Sequence, residues 1–475
     1  MIQVEPVANW SLVTLNLIRM AIGVGVLSLT ATLPASPLVL SDPNSDAKSA
    51  SALMAAGNAE EAVPLYRNLV ARFPNEPSFG INFVLALFQT GRYREGIEEC
   101  DALAKRWPAN TNLRILLADA LSTAAQWAEA ADQYEVCARA QPNNPRVVFG
   151  MARSYESLVW QSASQMVSVA PNSAELLALS AELELEQGRL APAFQQFRKA
   201  LDLQPSFPGL HVQIAEIYKI TGHTDWAALE RAKEARPAPC ATGSAECAFA
   251  AGQFRKIAAE KADSAQAVYW QAKAFLELSR KAYQHLRELP PSKEGAEAKA
   301  INEEKHSRYP EAAASWKSAL RFDPSDQAIQ RHLATALCQG NNCETAIPYL
   351  KKQLVQQPES AEVNYLYGLA LNNERKPDEA VPYLEKAVRL NDKFLPARAS
   401  LGEAYLEAGN PERAIPELRA AAAYDETGSR IYQLARAYQA AGKREEAADT
   451  LRDYRQVSNR HAAEVQANSS SITPP

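Results

Sequence analysis

The sequence carries little net charge and few signs of β-structure. Its 475 residues sum to a formal charge of −5 at pH 7, whereas a nucleic-acid binder normally presents a basic face. Runs of Val and Ile bounded by turn residues are scarce and alanine is abundant, which favours helices over sheets. The composition therefore argues against a nucleic-acid partner and predicts an all-α chain.

Motifs of common catalytic and phosphate-binding sites are also missing from the sequence. None of the six histidines belongs to an HExxH arrangement or lies near a G-x-S-x-G sequence. A glycine-rich phosphate loop is not present, because Gly23 and Gly25 belong to an apolar N-terminal run. We therefore expect no catalytic residue, no cofactor and no enzymatic activity.

Cysteine is scarce, with six residues in the whole chain. A zinc site needs four converging ligands, and neither close pair of cysteines has a second pair or a histidine at a suitable spacing. Cys240 and Cys247 flank a loop, and Cys338 and Cys343 lie across a turn in the segment CQGNNC. Both pairs are disulfide candidates if the chain is exported, and free thiols are the alternative for each.

The N-terminus differs in character from the rest of the chain. Between residues 10 and 40 the only charged residue is Arg19, and an apolar run begins at Met20. A positive residue, an apolar core and small residues near Ala35 resemble a secretory signal. An uncleaved membrane anchor and a buried N-terminal helix are the alternatives.

One phrase is repeated three times at intervals of 34 residues. The copies read CETAIPYLKKQLVQQP from Cys343, PDEAVPYLEKAVRLND from Pro377 and PERAIPELRAAAAYDE from Pro411. If each unit is numbered from 1 to 34 and the phrase starts at position 17, small residues recur at positions 8 and 20. The small residues that we expect at helix crossings are Ala62, Ala130, Ala193, Ala346, Ala380 and Ala414 at position 20, with Gly368 and Gly402 at position 8.

Helical geometry explains this spacing. Positions 7, 8 and 11 share one face of a first helix, and positions 20, 24 and 27 share one face of a second. Small residues let the two backbones approach closely, and larger residues fill the remaining space. Cys100 and Cys137 fall at core positions 24 and 27, so we expect them to be free buried cysteines.

The pattern resembles the tetratricopeptide repeat, a helix-turn-helix unit with small residues at 8 and 20, a large apolar residue at 24 and proline at 32. The resemblance extends from about residue 43 to about residue 456. It implies an all-α tetratricopeptide-repeat solenoid, a right-handed superhelix of antiparallel helix pairs with about 11–12 repeat-like units. Such an array leaves no room for a separate catalytic domain.

Breaks in the repeat frame predict how the chain is divided. The predicted segments are a signal sequence or membrane anchor plus linker at 1–42, an N-terminal array at 43–236 with a short repeat at 145–173, an irregular cysteine-containing connector with an abbreviated hairpin at 237–263, a C-terminal array at 264–456, and the end of a capping helix with a disordered tail at 457–475. The segment AKAFLEL from Ala272 is similar to ARSYESL from Ala152, which suggests a larger internal duplication.

In tetratricopeptide-repeat proteins the first helices line a concave groove, largely through positions 2, 5, 9, 12 and 13. The resemblance therefore implies a set of partner-groove candidates: Arg153, Arg331, Tyr365, Asn372, Asn373, Tyr432, Arg436 and Gln439. Tyr and Arg are frequent anchors in protein interfaces, although ordinary solvated helix positions are the alternative. The basic and Asn clamp by which some members bind C-terminal carboxylates is not matched, because Ala47, Ser51, Ile81 and Leu85 occupy its positions.

The resemblance implies a scaffold or adaptor that binds a protein or an extended peptide on a concave helical surface. We expect it to be exported, either periplasmic or anchored facing the periplasm, and to act in the bacterial cell envelope. The alternative is an accessory or regulatory subunit of an envelope assembly, secretion or cell-wall enzyme complex, anchored by residues 20–40. An enzyme in its own right is a third hypothesis.

Overall fold

The computed structural model of the protein describes residues 43–234, 244–423, 425–469 and 472–475. These residues form 24 helices and no strand, so the predicted all-α class is confirmed. Residues 1–42 and Cys240, on which the predicted signal or anchor and one predicted disulfide depend, lie outside the described residues. No helix within the described ranges is long and apolar enough to span a bilayer.

The helices follow one another through short turns. The first eight are α1 (Pro43–Ala55), α2 (Ala59–Arg72), α3 (Pro77–Gln89), α4 (Tyr93–Arg106), α5 (Thr111–Thr123), α6 (Trp127–Ala140), α7 (Pro145–Val169) and α8 (Ala174–Glu186). The next eight are α9 (Leu190–Leu203), α10 (Leu210–Ile220), α11 (Thr224–Arg231), α12 (Ala245–Ala250), α13 (Phe254–Ala259), α14 (Ala265–Glu288), α15 (Lys293–Lys305) and α16 (Tyr309–Ala319). The last eight are α17 (Gln327–Gln339), α18 (Cys343–Gln356), α19 (Ala361–Asn373), α20 (Pro377–Leu390), α21 (Leu395–Glu407), α22 (Pro411–Ala422), α23 (Ser429–Ala440) and α24 (Arg444–Ser469).

The chain forms two compact units. Unit 1 comprises the described residues within 1–179 and 238–289, and unit 2 those within 180–237 and 290–475. Each unit therefore draws residues from both predicted arrays. The predicted boundaries of 43–236, 237–263 and 264–456 refer to the order of repeats along the chain, and they stay a prediction.

Two long helices form the centre of unit 1. The predicted short repeat at 145–173 is instead occupied by the continuous 25-residue helix α7, and the 24-residue helix α14 contains its sequence echo. The two helices pack against each other. The buried Ser279 hydroxyl donates to the Ala152 carbonyl at 3.0 Å, and the Tyr283 hydroxyl donates to Glu156 at 2.8 Å. The two similar segments of the sequence are thus packing partners.

Unit 2 contains a row of ordinary helix pairs with one connected core. Buried apolar side chains run without interruption from Ala300 on α15 to Ala447 on α24. The position-24 residues Leu350, Leu384 and Leu418 are all fully buried. Each helix pair covers the apolar face of the next, which is how a repeat array gains stability.

Small residues lie where the helices cross. All six alanines predicted at position 20 are fully buried, and a Cβ atom added to Gly368 would lie 2.6 Å from Cγ of Leu384. The same atom on Gly402 would lie 2.5 Å from Cγ of Leu418. A larger side chain at Gly368 or Gly402 would therefore force the facing leucine to move.

The turn inside each helix pair needs a residue with positive φ. Glycine takes this place in several pairs, as at Gly409 with φ 76°, but Ala125, Ser307, Asn341 and Arg375 take it in others. Residues with a Cβ atom adopt this left-handed conformation at a cost of roughly 1–2 kcal/mol. Those four turns are therefore strained relative to the glycine-containing ones.

Replacing Arg375 with glycine is expected to stabilise unit 2 by about 0.5–1 kcal/mol, because relief of the φ 60° strain exceeds the added chain entropy. The ion pair that is lost, to Glu407 at 3.7 Å, has an 85% exposed arginine and is worth little. Chemical denaturation measures the change. Gly409→Ala is the matched control and should destabilise, since its φ is 76°; destabilisation by R375G would contradict the strain argument.

The tail of the chain also differs from the sequence prediction. Helix α24 continues to Ser469, and the hydroxyl of the buried Tyr218 on α10 donates to the Thr473 carbonyl at 2.5 Å. Both residues belong to unit 2. The end of the chain, predicted to be disordered, thus makes a specific contact with its own unit.

Candidate partner-binding surface

Seven of the eight groove candidates lie on the first helices of unit 2. They lie on α17, α19 and α23. Helix α21 comes between α19 and α23 in the series, and each of these four first helices contacts the next. We call their shared outward positions the first-helix surface, and its predicted members are Arg331, Tyr365, Asn372, Asn373, Tyr432, Arg436 and Gln439. Arg153 is exposed on α7 of unit 1, where its guanidinium lies 5.9 Å from the ring of Phe149.

Polar side chains link neighbouring helices across the first half of this surface. Arg331 on α17 forms an ion pair with Glu362 on α19 at 3.8 Å. The ring of Tyr365 on α19 lies 4.9 Å from that of Phe394, and the Ser400 side chain on α21 lies near its hydroxyl. Burial raises the pKa of Tyr365, so this phenol stays protonated over the physiological range.

Glu403 on α21 is the charged centre of the surface. Burial raises the pKa of its carboxyl, and Glu407 one turn along the helix raises it further. Arg430 and Arg436 on α23 act in the opposite direction without reversing the shift. The surface therefore holds a carboxyl whose charge is only partly compensated by its neighbours.

Two asparagines at the end of α19 occupy contrasting environments. Asn372 is 7% exposed, and its Oδ1 atom has no hydrogen-bond donor among the described residues. Asn373 is exposed and its Nδ2 donates to Sγ of Cys343 at 3.1 Å. Cys343 is in turn disulfide-bonded to Cys338, with the Cα atoms 4.2 Å apart. The bond ties the end of α17 to the start of α18 beside the surface.

The α23 end of the surface is open to solvent. Tyr432 is 44% exposed and its ring lies 5.2 Å from that of Tyr454. Arg436 and Gln439 are exposed on the same helix. An exposed tyrosine beside an arginine is a pair of residue types that interfaces favour.

Two of the other cysteines, Cys100 and Cys137, occupy the buried environment that their repeat positions predict. Cys100 and Cys137 are free and buried, and burial raises their pKa values to about 12 and about 11. Cys247 near the start of α12 is disulfide-bonded. No group of three or more His, Cys, Asp or Glu side chains in the described part of the chain is placed to hold a metal ion.

Three residues of this surface were not predicted as candidates: Ser400, Glu403 and Arg430. Glu403 stands at position 9 of its repeat, a groove position, so the repeat frame contained the signal for it. Ser400 and Arg430 lie outside the groove positions and reach the surface only because the first helices pack side by side. Their role depends on packing geometry, which the repeat frame does not encode.

The Glu403→Gln variant is expected to be less sensitive to pH than the wild type. A carboxyl with a raised folded-state pKa destabilises the fold as pH rises through that pKa, because ionisation is easier in the unfolded chain. The stability of E403Q relative to wild type should therefore increase from pH 5 to pH 8, as measured by denaturation at each pH. A stability difference between E403Q and wild type that stays constant across this range would contradict the burial of the charge. The control is Glu426→Gln, at an exposed position outside these helices.

Comparison with known proteins addresses the fold. Models described as tetratricopeptide repeat match residues 48–76, 81–145, 297–361, 333–393, 372–434 and 431–457, which together cover more than half of the chain. No curated protein sequence matches the chain.

Several solved structures are similar to parts of the chain. MamA is 24% identical over 34% of this chain and 98% of its own, with a TM-score of 0.31. TTC0263, a thermophilic TPR protein of Thermus thermophilus, is 19% identical over 38% of this chain and 99% of its own, with a TM-score of 0.32. YrrB, described as a TPR protein with an unusual peptide-binding site, is 22% identical over 36% of this chain and 88% of its own, with a TM-score of 0.29. From the family matches and the all-helical repeat fold, the chain belongs to the tetratricopeptide-repeat family.

Proposed function

We propose that the first-helix surface of unit 2 binds an extended peptide or an exposed segment of a partner protein. The repeat fold itself points to a non-catalytic scaffold. The observation that carries the proposal is the buried Oδ1 of Asn372, which has no donor among the described residues. A buried acceptor without a donor costs about 1–3 kcal/mol. We propose that the Asn372 amide turns outward when a peptide binds, so that a backbone N–H of the peptide becomes the donor.

The size of the surface indicates the length of its ligand. Packed helices lie about 8–10 Å apart, so four adjoining first helices span three intervals, or about 24–30 Å. An extended peptide covers about 3.3 Å per residue. The ligand segment would therefore contain about 7–9 residues.

The side chains along the surface indicate the ligand's chemistry. Glu403 lies in a partly buried setting that raises its pKa, and a cation on the ligand would stabilise its ionised form. Tyr432 offers an exposed aromatic face at the α23 end. We propose a ligand with a Lys or Arg near its middle and an apolar residue near the end that meets α23.

Site-specific photo-crosslinking tests the proposal. A benzophenone amino acid at Gln439, on the first-helix surface, should crosslink to one partner segment, and N372A together with Y432A should reduce that crosslink at least fivefold. The control places the same amino acid at Val355, which is 84% exposed on the second helix α18. Equal crosslinking from both positions, or no effect of the paired alanines, would contradict the proposed surface.

We also propose that the protein is exported and acts in the cell envelope, where it could be a free scaffold or an anchored accessory subunit. The apolar N-terminal run and the Cys338–Cys343 disulfide support export, because disulfides persist in oxidising compartments. Cell fractionation with N-terminal sequencing tests this. A cleaved soluble form would favour the free scaffold, an intact membrane-bound form the accessory subunit, and recovery in the cytosol would contradict export.

A further inference from the structure

We propose that unit 1 contains a second, independent binding site that accepts an acidic peptide segment with a large apolar side chain. The site is a pocket of about 380 Å³ between α7, the α12–α13 hairpin and α14. We call it the connector pocket. It shares no residue with the first-helix surface of unit 2.

The hairpin that forms one wall of the pocket is fixed onto α14 by several contacts. The Phe249 ring on α12 lies 4.9 Å from that of Phe254 on α13 and 5.3 Å from that of Trp270 on α14. Nε2 of Gln271 donates to the carbonyls of Ala258 and Glu260 at 3.1 and 2.9 Å. These contacts hold two helices of only six residues each in place. The hairpin is therefore a fixed part of the pocket wall.

The interior of the pocket is mostly apolar. Met151 and Tyr155 of α7, Leu278 of α14 and Phe254 of the hairpin line it. Its volume is near the lower end of the range of about 300–1,000 Å³ that small-ligand sites occupy. The space suits one large side chain with part of its neighbours and is too small for a folded element.

The rim of the pocket is basic. Arg255, Lys256, Lys281 and His285 line it, and no carboxylate of the described residues does. Neither Lys256 nor Lys281 forms an ion pair within the part of the chain that the structure describes, although Nζ of Lys281 lies 4.4 Å from the ring centroid of Phe254. The chain as a whole has a net charge of −5, so this patch is opposite in sign to the chain's net charge.

Glu135, an acid in contact with two of the lining residues, is already engaged by both of them. Glu135 on α6 accepts a hydrogen bond from the Tyr155 hydroxyl and forms an ion pair with Nε of Arg255 at 3.4 Å. His285 directs its Nε2 towards the Pro142 carbonyl at 3.0 Å. The two lysines therefore remain available for an incoming carboxylate, while the apolar interior accepts the side chain beside it.

Fluorescence polarisation with defined peptides tests the proposal on the full-length protein. The probe is a fluorescein-labelled peptide with the central sequence Glu-Trp-Glu and blocked ends, and a Gln-Trp-Gln peptide is its neutral match. A third peptide ends in Trp with a free carboxylate, which distinguishes a terminal carboxylate from side-chain carboxylates. We expect the acidic probe to bind at least tenfold more tightly than the neutral one, and K256Q with K281Q to weaken it about tenfold.

The matched control replaces Lys48 and Lys261, two exposed lysines of unit 1 outside the pocket, with glutamine. This control should bind the acidic probe like the wild type. Equal affinity for the acidic and neutral peptides, or an equal loss in both lysine variants, would overturn the proposal. Equally tight competition by a ten-nucleotide single-stranded DNA would show a general polyanion site and would also overturn it. Circular dichroism of every variant verifies that each remains folded.

Discussion

Replacing Trp316 with alanine will destabilise the α15–α17 region of unit 2 by about 3–5 kcal/mol. Trp316 is 2% exposed, its ring lies 4.6 Å from that of His332, and its Nε1 donates to Glu304 at 2.7 Å. The substitution leaves a large cavity and removes the hydrogen-bond donor of Glu304. Burial already raises the pKa of that carboxyl despite the indole N–H bond, so its loss adds to the cost.

Hydrogen exchange resolved by helix is the suitable measurement, because repeat arrays open locally rather than all at once. Amides of α15, α16 and α17 should exchange at least a hundredfold faster in W316A, since each 1.4 kcal/mol is a tenfold change. Phe322→Ala is the control, because Phe322 follows α16 and is 51% exposed. It should change stability by less than about 0.5 kcal/mol. A cost below about 1 kcal/mol in W316A would contradict its place in the core.

Replacing Gly402 with leucine will destabilise the α21–α22 crossing by about 2–3 kcal/mol. A Cβ atom at this position would lie 2.5 Å from Cγ of Leu418 and 3.2 Å from its backbone nitrogen. The side-chain atom could move, but the backbone atom lies on α22 and moves only if the helices separate. Separation would expose Leu418, which is now fully buried.

A double-mutant cycle tests whether this contact is the cause. Gly402→Ala and Leu418→Ala should each destabilise, but the two together should cost about 1 kcal/mol less than the sum. The added methyl group then occupies space that the leucine has vacated. Glu407→Leu, an exposed change on the same helix, is the control for leucine itself and should be nearly neutral. Strict additivity in the cycle would contradict close packing at Gly402.

The repeat period predicted the fold because local rules determine it. Small residues at a fixed interval of 34 specify where helices cross, as Gly368 and Gly402 illustrate. Positive φ at the inner turn follows from the same register even where Arg375 replaces glycine. Within the regular repeats, the contacts between successive helices follow from this register.

The structure of unit 1 could not be predicted in this way. The register breaks near Pro171, and the sequence suggests a shortened repeat, whereas α7 continues as one helix to Val169. Its partner α14 lies more than a hundred residues further along the chain, so no local pattern pairs them. The similar segments at Ala152 and Ala272 were the only signal, and they indicated duplication rather than contact.

The candidate surface was partly predictable, because its groove positions follow from the repeat register. Groove positions identify residues such as Tyr365 and Tyr432 from the register alone. Burial raises the pKa of Glu403, and Arg430 from the neighbouring repeat opposes this shift without reversing it. The connector pocket depends on an irregular hairpin for which no repeat rule exists.

The contact between α7 and α14 affects where this protein can be truncated and when unit 1 can fold during synthesis. Repeat proteins can usually be cut between units, because each unit touches only its neighbours. Here Ser279 contacts Ala152 across 127 residues, so a fragment that stops near residue 236 would present the apolar face of α7 to water. During biosynthesis, unit 1 cannot be completed until α14 has been synthesised, although its first 170 residues emerge early.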